Sequence, residues 1–292
     1  MKKTFLGSLI LLCVLFSASA QSYKFDFTDN KKVKEGYIKI SPTDRYSEEK
    51  GYGYDLQASP DGKSNAPFFF SVSVPDGNYH VTAVIGNRKK AGITSLRGES
   101  RRLFAEKIVT KKKEQTIFEF TINKRNIHIS DKENVQIKPR EKNKLNWDDK
   151  LTLEFNGEAP VLSELIINKV EDVPTIFLCG NSTVVDQDNE PWASWGQMAP
   201  YFFDENVAIA NYAESGERLD TFRGAGRLRK ILSVIKPGDY VFVEFGHNDQ
   251  KIKELDAFGG YAEKLRYFVN YAKEKGAYPI LNSPINRIIF EP

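Results

Sequence analysis

From Tyr23 to about Val170 the apolar positions recur with a period of two. Phe118, Phe120 and Ile122 alternate with Glu119 and Thr121, and Leu151, Leu153 and Phe155 alternate with Thr152 and Glu154. Successive side chains of a strand point to opposite faces, so this rhythm predicts strands with one face buried and one wet. Similar short runs lie near Phe68–Val74, Tyr79–Ile85 and Leu165–Ile167, separated by turn signals such as Pro75-Asp76-Gly77-Asn78. No convincing amphipathic helix interrupts them. An all-β antiparallel sandwich or jelly roll over residues 21–170 is expected.

From Pro174 the rhythm changes. Ile176-Phe177-Leu178-Cys179 and Tyr240-Val241-Phe242-Val243 are continuous apolar runs, as strands covered on both faces require. After Gly260, Tyr261, Leu265, Phe268, Val269 and Ala272 fall on one face of a helix, which Gly276 ends. The order expected is strand 176–179, helix around 194–203, strand 207–212, helix 219–235, strand 240–245, helix 260–275 and strand 278–282. Such alternation predicts parallel βαβ units in an open α/β sheet, with ligands at the C-terminal ends of the strands. Glu171-Asp172-Val173-Pro174 reads as the linker between the two halves.

The first residues add a compartment. Lys2 and Lys3, the apolar stretch Leu6–Phe16 and the small residues Ser17-Ala18-Ser19-Ala20 predict a cleavable secretory signal over 1–20, and hence a secreted or periplasmic protein. The apolar stretch is too short for a comfortable transmembrane helix, so no stable membrane insertion is expected. Loss of the leader removes Cys13 and leaves Cys179, which excludes an intramolecular disulfide and a cysteine metal site. Cys179 itself reads as a small buried hydrophobe. The 42 basic and 39 acidic residues nearly balance. Two basic runs, Lys111-Lys112-Lys113 and Lys138 to Lys144, read as solvated loops rather than a nucleic-acid stripe, because no aromatic platform accompanies them.

The candidate chemistry follows the strands of the second half. Gly180-Asn181-Ser182-Thr183 follows the first, Asn211-Tyr212-Ala213-Glu214-Ser215-Gly216 the second, and Gly246-His247-Asn248-Asp249 the third. Parallel strands deliver all three to one edge. A serine at the end of a buried strand, surrounded by backbone N–H groups, suits acyl transfer. The Ser182 N–H, the Gly216 N–H and the Asn248 side-chain amide are plausible oxyanion donors. Each segment alone is a common loop string; their order at strand ends makes the signal. Trp192 and Trp195 read as capping the first helix and packing on the sheet, with a sugar subsite as the alternative. Asp186, Asp188 and Glu190 lack EF-hand order and read as a solvated loop rather than a calcium site.

These three blocks resemble those of the SGNH (GDSL-type) hydrolases, nearest the rhamnogalacturonan acetylesterase-like branch. Asn181 stands where that branch has aspartate, Gly216 matches the second block's glycine, and Gly246-His247-Asn248-Asp249 matches the third block in full. The resemblance implies a three-layer, flavodoxin-like SGNH domain over 175–292, with Ser182 as nucleophile and Ser182 N–H, Gly216 N–H and Asn248 as oxyanion hole. It implies no cofactor and no metal. The substrate implied is an acetylated plant cell-wall polysaccharide or oligosaccharide. Phe25-Asp26-Phe27, Gly36-Tyr37-Ile38-Lys39-Ile40 and the segment from Tyr46 to Gly53 resemble the galactose-binding-like β-sandwich attached to such esterases.

The family's fourth block, Asp-x-x-His, would supply the base that a serine hydroxyl needs. The chain has three histidines, His80, His128 and His247, and none follows an aspartate three residues earlier. His80 and His128 are expected on the wetter face of their strands, and His247 as a structural hydrogen-bonding residue. The expectation is an incomplete catalytic domain, the N-terminal part of its kind, and a poor catalyst as it stands. Two other readings remain open: a non-catalytic carbohydrate-binding protein with an inert α/β remnant, and an SGNH lipase or aryl esterase.

Overall fold

Alternating side chains from two sheets meet in one core and set the first half of the chain. The computed structural model describes residues 21–58 and 66–285. The expected leader, 1–20, lies outside the described residues. Before residue 171 run β1 (Ser22–Asp26), β2 (Ile38–Lys39), β3 (Tyr52–Asp55), β4 (Phe68–Ser73), β5 (Gly77–Ile85) and β6 (Gly92–Gly98). They are followed by β7 (Arg102–Thr110), β8 (Thr116–Lys124), β9 (His128–Ser130), β10 (Glu133–Asn134), β11 (Lys150–Asn156) and β12 (Leu162–Val170). One sheet has the spatial order β3-β4-β11-β6-β7; β8, β5, β12, β1 and β2 lie side by side in another. Phe25, Tyr79, Val81, Ile122 and Leu165 of the latter share a core with Phe70, Leu96, Leu153 and Phe155 of the former.

β11 departs from the expected pattern. Leu151, Leu153 and Phe155 are buried, but Thr152 and Glu154 on the opposite face are buried as well. Polar partners cover them. Thr152 Oγ1 lies 2.8 Å from Ser71 Oγ, the Thr152 amide donates to Glu99 Oε1 at 3.1 Å, and Glu154 pairs with Arg97 at 3.4 Å. Periodicity marks which residues are polar. It does not say whether water or a paired side chain satisfies them.

The second half consists of β13 (Thr175–Gly180), α1 (Trp195–Met198), β14 (Ala208–Asn211), α2 (Leu219–Gly224), α3 (Arg227–Val234), β15 (Tyr240–Glu244), α4 (Ala262–Glu274) and β16 (Tyr278–Leu281). The helix expected over 219–235 is two helices, because Gly226 takes a left-handed φ of +81° between them. β13 explains its own continuous apolar run. Ile176 and Leu178 face one core with Val184 and Ile209, while Phe177 and Cys179 face another with Leu219, Phe222 and Phe268. The strands are parallel in the order β16-β15-β13-β14. This order is flavodoxin-like, and its reversal point lies between β13 and β15.

The two halves share a sheet. The outer edge of β14 meets β8 through one parallel bridge, Ile209 to Ile122, which makes a nine-stranded mixed sheet. The architecture is a mixed α/β fold around this sheet, consistent with an SGNH hydrolase. Beside this single bridge, buried arginines hold carbonyls of both halves at and just past the end of β14. Arg102 Nη1 donates to Asn123 O at 3.0 Å and reaches Ile209 O at 3.4 Å. Arg125 Nη2 donates to Asn211 O, and Arg227 Nη1 donates to Tyr212 O at 3.2 Å. Arg227 is held in turn by the Glu141 carboxylate at 2.5 and 2.7 Å.

Arg102 also lies 3.0 Å from Asp186 Oδ2. Asp186 was expected in a solvated loop and is buried instead, because it provides the counter-charge to this guanidinium. Replacing Arg102 by methionine leaves that carboxylate buried without its counter-charge and is expected to destabilise the fold by about 3–5 kcal/mol. Urea unfolding of the two chains measures it, and a loss under about 1 kcal/mol contradicts the role given to Arg102.

Glu99, 4.0 Å from Arg102 Nη2, is buried, and burial pushes its carboxyl up from 4.5 to about 8. Burial also raises Asp186. The folded chain therefore keeps the Glu99 proton that the unfolded chain releases above about pH 4.5. Stability from this source is full at low pH and is lost as pH rises through about 8. The slope is at most about 1.4 kcal/mol per pH unit for each such proton. Unfolding free energy measured from roughly pH 5 to 8 should fall, and Glu99→Gln should flatten the fall. An unchanged slope in the variant contradicts this assignment.

Candidate active site

The first loop turns directly off β13. A Cβ on Gly180 would collide with Val184 and lie 3.1 Å from Glu244 O, so glycine lets the chain fold back here. The amides of Val184 and Val185 both donate to Asn181 O at 3.0 Å. The Asn181 side chain is buried, and its Oδ1 accepts from the Thr183 amide at 3.2 Å. Its Nδ2 finds no acceptor among the described residues. Asn181 thus supplies the acceptor that an aspartate would supply in this loop, and its amide nitrogen is surplus. Ser182 is half-buried, with its carbonyl accepting from Gln187 Nε2 at 3.1 Å. Among the described residues neither its hydroxyl nor its amide donates to a protein group.

The loop after β14 is clamped from the first half of the chain. Lys138 Nζ donates to Ser215 O at 2.8 Å and pairs with Glu217 at 2.6 Å. Arg140 donates to Ser215 O and pairs through Nε with Glu214 at 2.7 Å, and Lys144 pairs with Glu214 at 3.2 Å. The run Lys138 to Lys144 was expected to be solvated; buried Glu214 and Glu217 draw it onto this loop instead. Ser215 O and Gly216 N belong to one peptide unit. In a trans peptide the two point opposite ways, so cations on the carbonyl aim the Gly216 N–H away from themselves. Gly216 has φ of +78°, which accounts for glycine there, and its amide donates to no group among the described residues.

The third loop locks onto the other two. Asn248 Nδ2 donates to Glu217 O at 3.0 Å, and Lys251 Nζ donates to Asn248 Oδ1 at 2.9 Å. Both ends of the Asn248 amide are therefore fixed, and one N–H remains. Asp249 is buried, accepting from the Leu219 amide at 3.0 Å and the Gly246 amide at 3.1 Å, and burial raises its carboxyl. The first loop meets the third through Glu244. This carboxylate accepts from the Thr183 hydroxyl at 2.6 Å and from Trp195 Nε1 at 2.7 Å. Register pairs Gly180 with Glu244, so Ser182 and Gly246 stand two residues beyond neighbouring strand ends. The Glu214 amide donates to Gly180 O at 3.2 Å and ties the first loop to the second.

The structure thus brings the Ser182, Gly216 and Asn248 loops to one edge. A cavity of about 780 Å³ opens beside the third loop, lined by Gly246, His247, Leu255 and Tyr261, among others; Ser182 and Gly216 are not in its wall. Glu244 was missed by the sequence reading, although a lone charge ending Val241-Phe242-Val243 was its signal. Trp195 packs against the sheet as expected, whereas Trp192 is 68% exposed and does not. His80 lies 3.8 Å from Glu119, and His128 bonds Asn134 at 2.7 Å on an exposed strand. His247 lines the cavity. Glu244 precedes it by three residues, but both carboxylate oxygens are engaged by Thr183 and Trp195. Among the described residues no group of His, Cys, Asp and Glu could hold a metal ion, and no helix is long and apolar enough to cross a membrane.

No family model matches the chain. It is 30% identical to the uncharacterized esterase YxiM of Bacillus subtilis over 297 residues, covering 93% of this chain and 71% of YxiM. It is 37% identical to the rhamnogalacturonan acetylesterase RhgT of Bacillus subtilis over 118 residues, 40% of this chain and 51% of RhgT, so that match spans about half of the relative. The crystal structure of Bacillus subtilis YxiM aligns at 27% identity, covering 90% of this chain and 75% of that one, with a TM-score of 0.40. Relatedness to YxiM extends over nearly the whole chain and includes all three loops, and the chain belongs to the esterase family of YxiM.

Proposed function

We propose that the chain is built for hydrolysis of O-acetyl esters on a pectic polysaccharide of the rhamnogalacturonan type, with Ser182 as nucleophile. Ser182 Oγ attacks the acetyl carbonyl carbon, its proton passing by way of solvent to the sugar oxygen that will leave, and the carbonyl oxygen takes up negative charge. The Ser182 N–H, the Gly216 N–H and the remaining Asn248 N–H receive that charge. The sugar hydroxyl departs with a proton, leaving an acetyl-serine ester, and water then releases acetate. One observation carries this reading: two backbone N–H groups at the strand ends donate to nothing among the described residues, while Asn248 is fixed at both ends beside them. The likeness to RhgT over this half supports the substrate class. In the same reading residues 1–20 direct export and residues 21–170 form a galactose-binding-like module.

A rival reading has a specific observation behind it. None of the three histidines stands in an Asp-x-x-His block, and a chain that binds glycan without turning it over needs none. Release of acetate from acetylated rhamnogalacturonan decides between them. Ser182→Ala should bring release to the solvent background, and Asn248→Ala should lower it by about 10²–10³-fold. No release from the unaltered chain, or release that survives Ser182→Ala, sinks the hydrolase reading.

Arg140 offers a separate check, since it acts only through the Ser215 carbonyl and Glu214. Arg140→Met should lower kcat roughly tenfold while KM and the melting temperature stay near their starting values. A rise in KM with kcat unchanged contradicts its place behind the oxyanion donor.

A further inference from the structure

One end of the antiparallel half gathers positive charge. Register sets Ile85 of β5 between Thr116 of β8 and Leu162 of β12, with Asp26 of β1 against Glu164 of β12. The loops 27–37, 86–91, 111–115 and 157–161 therefore leave the strands side by side. The Lys113 amide donates to Asn87 O at 3.0 Å, the Gly86 amide donates to Val161 O at 3.2 Å, and Lys89 pairs with Asp29. Together the four loops hold nine basic and four acidic residues, a net +5 where the whole chain has +3.

The nearby acids are already engaged. Besides Asp29, Glu164 pairs with Lys34 at 2.6 Å, and Glu114 accepts from the Lys111 amide at 2.7 Å. Lys31, Lys32, Arg88 and the lysines at 111–113 are exposed and pair with no carboxylate among the described residues. Like charges gathered this way repel one another, and a polyanion relieves them.

A cavity of about 610 Å³ lies among these loops, with Asn30, Asn87, Arg88 and Gln115 in its wall. Asn87 Oδ1 accepts from the Lys89 and Lys90 amides at 2.8 and 3.0 Å, which fixes the side chain and leaves Nδ2 without a protein acceptor among the described residues. Side-chain amides bond hydroxyls, and a guanidinium grips a carboxylate through two parallel N–H groups. The two rings of the four loops, Phe27 and Tyr37, are half-buried. Phe27 packs against Tyr54 and Phe70, and Lys34 Nζ lies 5.5 Å over Tyr37, so nucleic-acid bases would find little to stack on.

We propose that this end binds an anionic polysaccharide, a polyuronate chain, with carboxylates on Arg88 and the exposed lysines and hydroxyls on Asn87 and Gln115. The choice of a uronate among polyanions rests on the pectic substrate proposed above; the basic surface does not. Thr116 stands about 20 Å before Ile122, where β8 meets β14, and the Ser182 loops lie past that bridge. A polymer held here leaves those loops open.

Binding of the full chain to polygalacturonate free of acetyl groups tests it, with fully methyl-esterified polygalacturonate and a single-stranded oligonucleotide as controls. Polygalacturonate should bind saturably, more weakly as salt rises, and at least about tenfold more tightly than either control. Replacing Lys111, Lys112 and Lys113 together by glutamate, a change confined to one exposed loop, should weaken it at least about tenfold. Arg88→Gln should also weaken it, and Ser182→Ala should bind as the unaltered chain does. No saturable binding, equal binding of either control, undiminished binding by the triple variant or by Arg88→Gln, or loss of binding in Ser182→Ala would each overturn the proposal. Each result stands apart from acetate release, because this polymer carries no acetyl ester, and Arg88→Gln still decides should the triple variant fail to fold.

Discussion

The buried guanidinium of Arg102 holds the molecule to one geometry. It leaves β7, touches Asn123 O on β8, reaches Ile209 O on β14 and faces the Asp186 carboxylate beyond β13. Both halves thus converge on a single, fully buried side chain. A buried charge tolerates few positions, because any shift that separates it from Asp186 leaves two desolvated ions. Arg125 and Arg227 extend the same device along the end of β14, where only one sheet bridge joins the halves. The continuity of the nine-stranded sheet is therefore as much a matter of arginine as of strand pairing.

The three candidate-site loops inherit this rigidity. Asp186 lies four residues beyond Ser182 and is fixed by Arg102 and by Asn211 Nδ2 at 2.7 Å. Asn211 ends β14 and leads into the loop that carries Gly216. That loop is gripped by Lys138, Arg140 and Lys144, all from the first half. An oxyanion donor works only when its dipole is set before the reaction. In the proposed mechanism the Gly216 N–H is such a donor, and the antiparallel half fixes its peptide through the Ser215 carbonyl.

Much of this was legible in the sequence. The strands and helices of the second half lie within a few residues of where apolar runs and helical faces placed them, since doubly covered strands leave an unbroken apolar record. The three loops were legible because polar residues follow those runs. What the sequence hid were pairings across long separations. Thr152 and Glu154 look like a wet face, Lys138 to Lys144 like a solvated run and Asp186 like a loop acid. Each is buried or clamped by a partner dozens of residues away. A charged residue reads alike whether water or a distant counter-charge satisfies it, and only the lone Glu244 at the end of an apolar strand gave a hint.

The central claim is that Ser182 is an acyl acceptor held in a preset oxyanion site. Its most direct test is the mass of the peptide containing Ser182 after the full chain is mixed with an acetyl ester and quenched in acid. The account predicts one added acetyl group on Ser182, formed during turnover and lost as free acetate accumulates. Acetate release with the Ser182 peptide unmodified throughout, or with the acetyl group on another residue, would contradict it.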